Sequence, residues 1–160
     1  MPRLKVKKPA LSAEKLQFIE PMYARSVPRL PESDDWLYEV KFDGYRCLAG
    51  KDSTGVTLWS RRGNLFTGQF PQVAQACEGL SPDTLVDGEI VALDQNGRVS
   101  FNLLQHHRSA AQALILYVFD VLMHRGRSLL NVPLQGRREI LTEIFQDYIG
   151  KAGPIAFRDP

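Results

Sequence analysis

The sequence of 160 residues has only two cysteines, Cys47 and Cys77, and no C-x-x-C pair. Two such thiols supply neither a disulfide framework nor a cysteine zinc site, and they suit a reducing compartment such as the cytoplasm. No apolar run approaches the roughly 18 to 20 residues that a membrane helix needs, so no membrane partner is expected. Met1–Pro9 is basic, with Arg3, Lys5, Lys7 and Lys8, but no apolar h-region follows, so no secretory signal is expected there. One-sided charge is also lacking. The net charge is +2 and the pI about 8.6, short of the strongly basic footprint that would by itself indicate nucleic acid. There is no internal repeat and no low-complexity tract. What is present is an average globular composition, 44% apolar and 24% charged. A chain of this length buries roughly two-thirds of its unfolded surface without staples, and one domain of ordinary size is expected.

Met1–Pro9 reads either as a solvated terminus or as a phosphate-contacting arm. Residues 11–35 carry Pro21, Pro28 and Pro31 and read as an extended lead-in crossing the surface. From Trp36 the pattern changes. Trp36, Tyr38, Val40 and Phe42 alternate with Leu37, Glu39 and Lys41, which predicts a strand over 36–42 with Glu39 and Lys41 on one face. Asp43-Gly44 bends the chain before Tyr45–Gly50 resumes it. Gly50–Gly55 is a hairpin turn, followed by a strand over Val56–Ser60. Pro71–Gly79 predicts a short helix with proline in its first turn. Thr84–Asp94 is a further strand, closed by the turn Asp94-Gln95-Asn96-Gly97. Ser100 is placed to cap a helix over 101–108. Ala113–Met123 is nearly all apolar and predicts a central strand buried on both faces. Pro133 opens the longest helix, with Leu134, Ile140, Leu141, Ile144, Phe145 and Tyr148 on its apolar face. Ile155–Phe157 predicts one last short strand. Tight turns between adjacent strands imply mostly antiparallel sheets flanked by helices, the α+β class.

Four clusters carry chemistry. Glu39, Lys41, Asp43 and Arg46 are close together around the bend. A lysine on a strand is ordinarily solvated; a nucleophilic one needs an amine partly neutral near pH 7, which burial or nearby positive charge provides. Ser60-Arg61-Arg62-Gly63-Asn64 is a basic turn. Asp87 and Glu89 share a face of a strand otherwise made of Leu85, Val86, Ile90 and Val91, so each needs a cation, a metal or a ligand hydroxyl. Asp120 needs a donor for the same reason, while Phe119 beside it reads most simply as core.

In this order the clusters read K-x-D-G-x-R (Lys41–Arg46), S-R-x-G (Ser60–Gly63), D-G-E (Asp87–Glu89) and an aromatic F-D motif (Tyr117–Asp120). Together they resemble the adenylation domain of ATP-dependent DNA ligases, within the covalent nucleotidyltransferases. The phrases FIEPM, WLYEVKFDGYR, FTGQFPQ and PLQGRREIL are most similar to the ligase module of bacterial ligase D. The resemblance implies that Lys41 attacks the α-phosphorus of ATP and holds AMP as a lysyl phosphoramidate. It implies ribose contacts from Arg46 and Glu89, with Glu89 also helping to hold Mg²⁺ or Mn²⁺. Glu39 would contact the adenine amine, Phe119 would stack on the base, and Arg61 would contact nucleotide or a DNA phosphate. The implied partners are ATP, nicked or broken duplex DNA and a Ku-type end-binding protein, in nonhomologous end joining at the bacterial nucleoid.

Two later motifs of the family, E-G-x-x-x-K and K-x-K, have no counterpart at the matching place. Glu78-Gly79 is followed by no lysine, and Lys5-Val6-Lys7 is at the other terminus. The resemblance therefore implies a basic lead-in over 1–17, the N-terminal part of an adenylation domain over 18–160, and no oligonucleotide-binding domain. It also implies weak or absent activity for this chain alone, since a metal-binding carboxylate and two phosphate-binding lysines are missing. Two other functions fit the same residues: a nucleotide- or partner-binding module without chemistry, and an RNA ligase or capping relative, which shares K-x-D-G-x-R.

Overall fold

The computed structural model describes residues 15–33, 35–107, 113–146 and 153–157. The basic arm at Met1–Pro9, Arg108 and Tyr148 lie outside the described residues. The elements follow as β1 (Tyr45–Asp52), β2 (Gly55–Ser60), α1 (Pro71–Cys77), β3 (Thr84–Leu93), α2 (Phe101–Gln105), β4 (Ala113–His124), β5 (Arg127–Ser128), α3 (Leu134–Phe145) and β6 (Ile155–Phe157). They form one six-stranded sheet in the order β2-β1-β3-β4-β5, with β6 also on β4. Every pairing is antiparallel except β4 with β6. This is the expected α+β class with a mostly antiparallel sheet.

Local chemistry explains the element ends. Asp52 Oδ1 accepts from the Thr54 and Gly55 amides, and Gly55 takes φ +136°, closing the β1–β2 hairpin. Ser100 Oγ accepts from the Leu103 amide at the start of α2. Pro133 stands at the N-cap of α3 without a side-chain cap bond. Gly97 takes φ +75° in the Asp94–Gly97 turn.

One face of the sheet is covered by helices. Cys47, Ala49, Val86, Ile90, Leu116 and Val118 point into that core and meet Val73 and Cys77 of α1, Leu104 of α2, and Leu141 and Phe145 of α3. The other face holds a smaller cluster, Leu48, Leu85, Leu122 and Met123, packed against Leu16, Phe18 and Ile19. The lead-in is thus without regular structure, as its prolines predict, yet it covers one end of the sheet rather than merely crossing the surface.

Two expectations fail. Trp36–Phe42 is not a strand: it has no regular structure and no ladder partner among the described residues. Both edges of β1 are taken, by β2 and β3, and an alternating pattern becomes a strand only where a neighbour offers backbone groups. Trp36, Tyr38 and Val40, the expected inner face, are 55%, 50% and 66% exposed. Glu39 and Lys41 therefore do not share a strand face. The second failure concerns β4. Leu114, Leu116 and Val118 are buried in the helix-covered core, but Ile115, Tyr117 and Phe119, on the other side of the strand, are only half-buried.

The glycines of both D-G steps are required by close backbone approach. A Cβ on Gly44 would lie 2.2 Å from the Ile90 carbonyl oxygen, and one on Gly88 2.5 Å from that of Tyr117. Burial pushes the Cys77 thiol up to about 12 and the Cys47 thiol well above its ordinary value. Both are fully buried in the helix-covered core, so neither is a ready nucleophile. The native chain at pH 8 should leave both unmodified by DTNB while the denatured chain reacts at both. Rapid labelling of either in the native state would contradict this packing.

Candidate functional site

The sheet face that the helices leave open gathers the polar residues. Arg46 of β1 is directly opposite Glu89 of β3, Glu89 is opposite Tyr117 of β4, and Asp87 is opposite Asp120. Residues in such register share a face. Arg46 Nε and Nη2 donate to Asp87 Oδ1 and Oδ2, both at 2.7 Å, in a two-pronged pair. Asp120 accepts from Arg137 Nε at 2.7 Å and Nη2 at 2.9 Å. Of the three carboxylates that the sequence left in need of a partner, Asp87 and Asp120 thus each receive an arginine fork, while Glu89 has a bond from the Gly44 amide and the nearby charges of Arg46 and Lys41. The Arg46 guanidinium carbon also lies 4.7 Å from the centroid of the Phe119 ring.

Glu39, Arg46 and Phe119 line one cleft of about 410 Å³, together with Asp87, Asp120 and Arg137 and with Ile19–Ala24 of the lead-in. Glu39 is ion-paired to Arg138 of α3. Arg61 is exposed on the turn after β2 and reaches the cleft only through Tyr23, whose ring centroid is 4.2 Å from its guanidinium. Lys41 and Glu89 are not among the walls. Lys41 is exposed and makes no ion pair among the described residues. The next residue holds it near the site: the Phe42 ring stacks on Tyr117, with centroids 4.3 Å apart and planes 3° from parallel.

Burial raises the Glu89 carboxyl above the ordinary carboxylate range, and the charges of Arg46 and Lys41 and a bond from the Gly44 amide pull it back. Burial likewise raises Asp87, against the two Arg46 bonds, and nearby Asp120 adds to the rise. Burial alone would lower Arg46, but the Asp87 bond and charge carry it above its usual value. Among the described residues no group of three or more His, Cys, Asp or Glu could hold a metal. A hard cation here would have Glu89 and the oxygens of a ligand to hold it, which suits Mg²⁺.

Sequence reading did not assign Arg137, Arg138 or the lead-in to the site. Paired arginines opening a helix, set against an orphan Asp120, were the available signal. So was the apolar group Leu16, Phe18 and Ile19.

Removing Arg46 would leave the Asp87 carboxylate, 2% exposed, without its cation. Arg46→Met should cost about 3 kcal/mol at pH 7. Asp87 in the folded variant would then hold its proton to still higher pH than in the unfolded chain. Between those two values the folded state binds more protons, so stability should return as pH falls from 7 towards 5. Urea unfolding at the two pH values checks this. A variant equally stable at both would contradict the pairing.

The family described as "ATP dependent DNA ligase domain" matches residues 21–154. The multifunctional non-homologous end joining protein LigD of Pseudomonas aeruginosa is 32% identical over 133 residues, covering 81% of this chain and 16% of the relative. Its counterpart in Mycolicibacterium smegmatis is 37% identical over 111 residues, covering 69% of this chain and 14% of the relative. The chain thus spans only a small part of these relatives' length. The solved ligase domain of Mycobacterium tuberculosis LigD superposes with a TM-score of 0.65 at 32% identity, over 76% of this chain and 39% of that one. A mycobacterial DNA ligase D complexed with ATP and MES gives a TM-score of 0.62 at 33% identity, over 76% and 38%. With its motifs in order around this open sheet face, the chain belongs to the ATP-dependent DNA ligase domain family.

Proposed function

We propose that this chain carries the nucleoside-binding face and the nucleophilic lysine of an ATP-dependent DNA ligase. The observation that carries this reading is the convergence of Arg46, Phe119 and Glu39 on one cleft, beside Glu89 and Lys41, in a chain of this family. Lys41 Nζ, once deprotonated, attacks the α-phosphorus of ATP. A P–N bond forms, the P–O bond to the β-phosphate breaks, pyrophosphate leaves, and AMP remains on the lysine. Arg46, held by Asp87, and Glu89 take the ribose hydroxyls. Phe119 stacks on the base with the ring face that Arg46 does not cover, and Glu39 accepts from the adenine amine. Glu89 would help to hold Mg²⁺, which would supply neutralisation of the charge that builds on the leaving pyrophosphate. Arg61 contacts nucleotide or a DNA phosphate. The substrate is nicked or broken duplex DNA, the setting is end joining with a Ku-type protein, and the location is the bacterial nucleoid.

A second reading, nucleotide binding without transfer, applies to these 160 residues taken alone, which hold no E-G-x-x-x-K or K-x-K at the matching place. Losing one charged contact of that kind commonly slows transfer by about 100 to 1,000-fold. The chain alone should therefore bind ATP yet adenylate itself slowly and seal nicks hardly at all. Nick sealing at the rate of a complete ligase would contradict this.

Joined to the remainder of a ligase domain, the chain should form an AMP adduct with labelled ATP and Mg²⁺. Lys41→Ala should abolish the adduct, and its survival in that variant would refute the assignment. Glu89→Ala should slow adenylation at least about tenfold with little change in Tm, because burial already disfavours the ionised Glu89. A large loss of stability with normal adenylation would make Glu89 a structural partner instead.

A further inference from the structure

The register of β3 and β4 slips at the site. Asp87 is opposite Asp120, but the next residue, Gly88, is opposite Val118, so Phe119 is an extra residue in β4. Such a bulge places two successive residues on one face and re-aims a side chain. Val118 and Val121 point into the helix-covered core, while both Phe119 and Asp120 line the cleft between them. Without the bulge, alternation would put Phe119 and Asp120 on opposite faces.

The bulge is bound from one side chain. Asp120 Oδ1 accepts from the Val121 amide at 2.8 Å, and the same carboxylate takes the Arg137 fork. Arg137 Nη1 also donates to the Val132 carbonyl at 2.7 Å, so the fork is tied to the start of α3. Both partners are well shielded, with 12% and 13% of their side-chain surface exposed.

We propose that Asp120 and Arg137 are positioning residues: their ion pair holds the β4 bulge that turns Phe119 onto the nucleotide-binding face. The proposal rests on the adenine-stacking role of Phe119 only for its effect on binding. The geometric part stands on the register shift and the three bonds to Asp120.

The test uses the 160-residue chain labelled with 4-fluorophenylalanine, the Phe119 resonance being assigned by its loss in Phe119→Leu. In Arg137→Met the Phe119 fluorine signal should move, while those of Phe70 and Phe145 in the core stay in place. Exchange of the Val121 amide should quicken at least about tenfold, and ATP affinity should fall about tenfold. Arg137→Lys, with charge but no fork, should fall between. An unmoved Phe119 signal and unchanged Val121 exchange in folded Arg137→Met would overturn the proposal, as would unchanged ATP affinity with Phe119 displaced. If Arg137→Met does not fold, Asp120→Asn should show the same three changes, and their absence would overturn the proposal equally. Should the unsubstituted chain fail to bind ATP, the nucleotide reading fails, and fluorine shift and amide exchange still decide whether the pair holds the bulge.

Discussion

A carboxylate buried on the middle of a sheet dictates the rest of this structure. Asp87 is on β3 and only 2% exposed, and such a group is tolerated only with a cation and hydrogen bonds. Arg46 supplies both from the neighbouring strand, in a fork that fixes its own position and leaves its plane over Phe119. Asp120, directly across from Asp87, would repel it and so takes an arginine of its own from α3. Replacing a buried pair by apolar groups is often neutral or stabilising, so its presence is better evidence for fixed geometry than for stability.

The charged layer explains why the sheet has two unlike faces. An apolar helix face laid over Arg46, Asp87, Glu89 and Asp120 would desolvate them further. Helices α1, α2 and α3 pack on the apolar face, while on the second face Leu16, Phe18 and Ile19 cover one end and Ile19–Ala24 and Arg137 wall the cleft. What stays uncovered is a mostly apolar cleft with an aromatic wall and a few convergent charged groups, the composition that small-molecule sites have. The glycines at 44 and 88 let the backbones of β1, β3 and β4 approach closely enough to set these side chains side by side.

Much of this was legible in the sequence. The β1–β2 hairpin, its turn narrowed to Ser53-Thr54 within the expected Gly50–Gly55, the cap at Ser100, the helix after Pro133 and the strand at Ile155 follow from local residue chemistry. The need of Asp87 and Asp120 for donors was legible too, though not which arginines would answer, since that depends on long-range register. Trp36–Phe42 misled because its alternation is genuine while both edges of β1, the strand that follows it, are taken by β2 and β3. Ala113–Met123 misled because apolar content does not reveal that one side faces a cleft. The bulge at Phe119 was not legible, because it depends on the register of β3 against β4 and on a bond partner for Asp120 that comes from α3, 17 residues away. Lys41, Arg46, Glu89 and Phe119 were singled out through motif resemblance, and geometry alone would have selected Arg46 and Phe119 before Lys41.

The most direct measurement is an NMR titration of the 160-residue chain with AMP, following backbone amides and arginine Nε–H signals. If the open sheet face is a nucleoside site, the saturable shifts should gather at Lys41, Arg46, Glu89 and Phe119, with the Arg46 Nε–H among the largest. The helix-covered core around Cys47, Leu58 and Val73 should stay silent. Shifts confined to the helical side, or none at concentrations that saturate a relative's ligase domain, would contradict it.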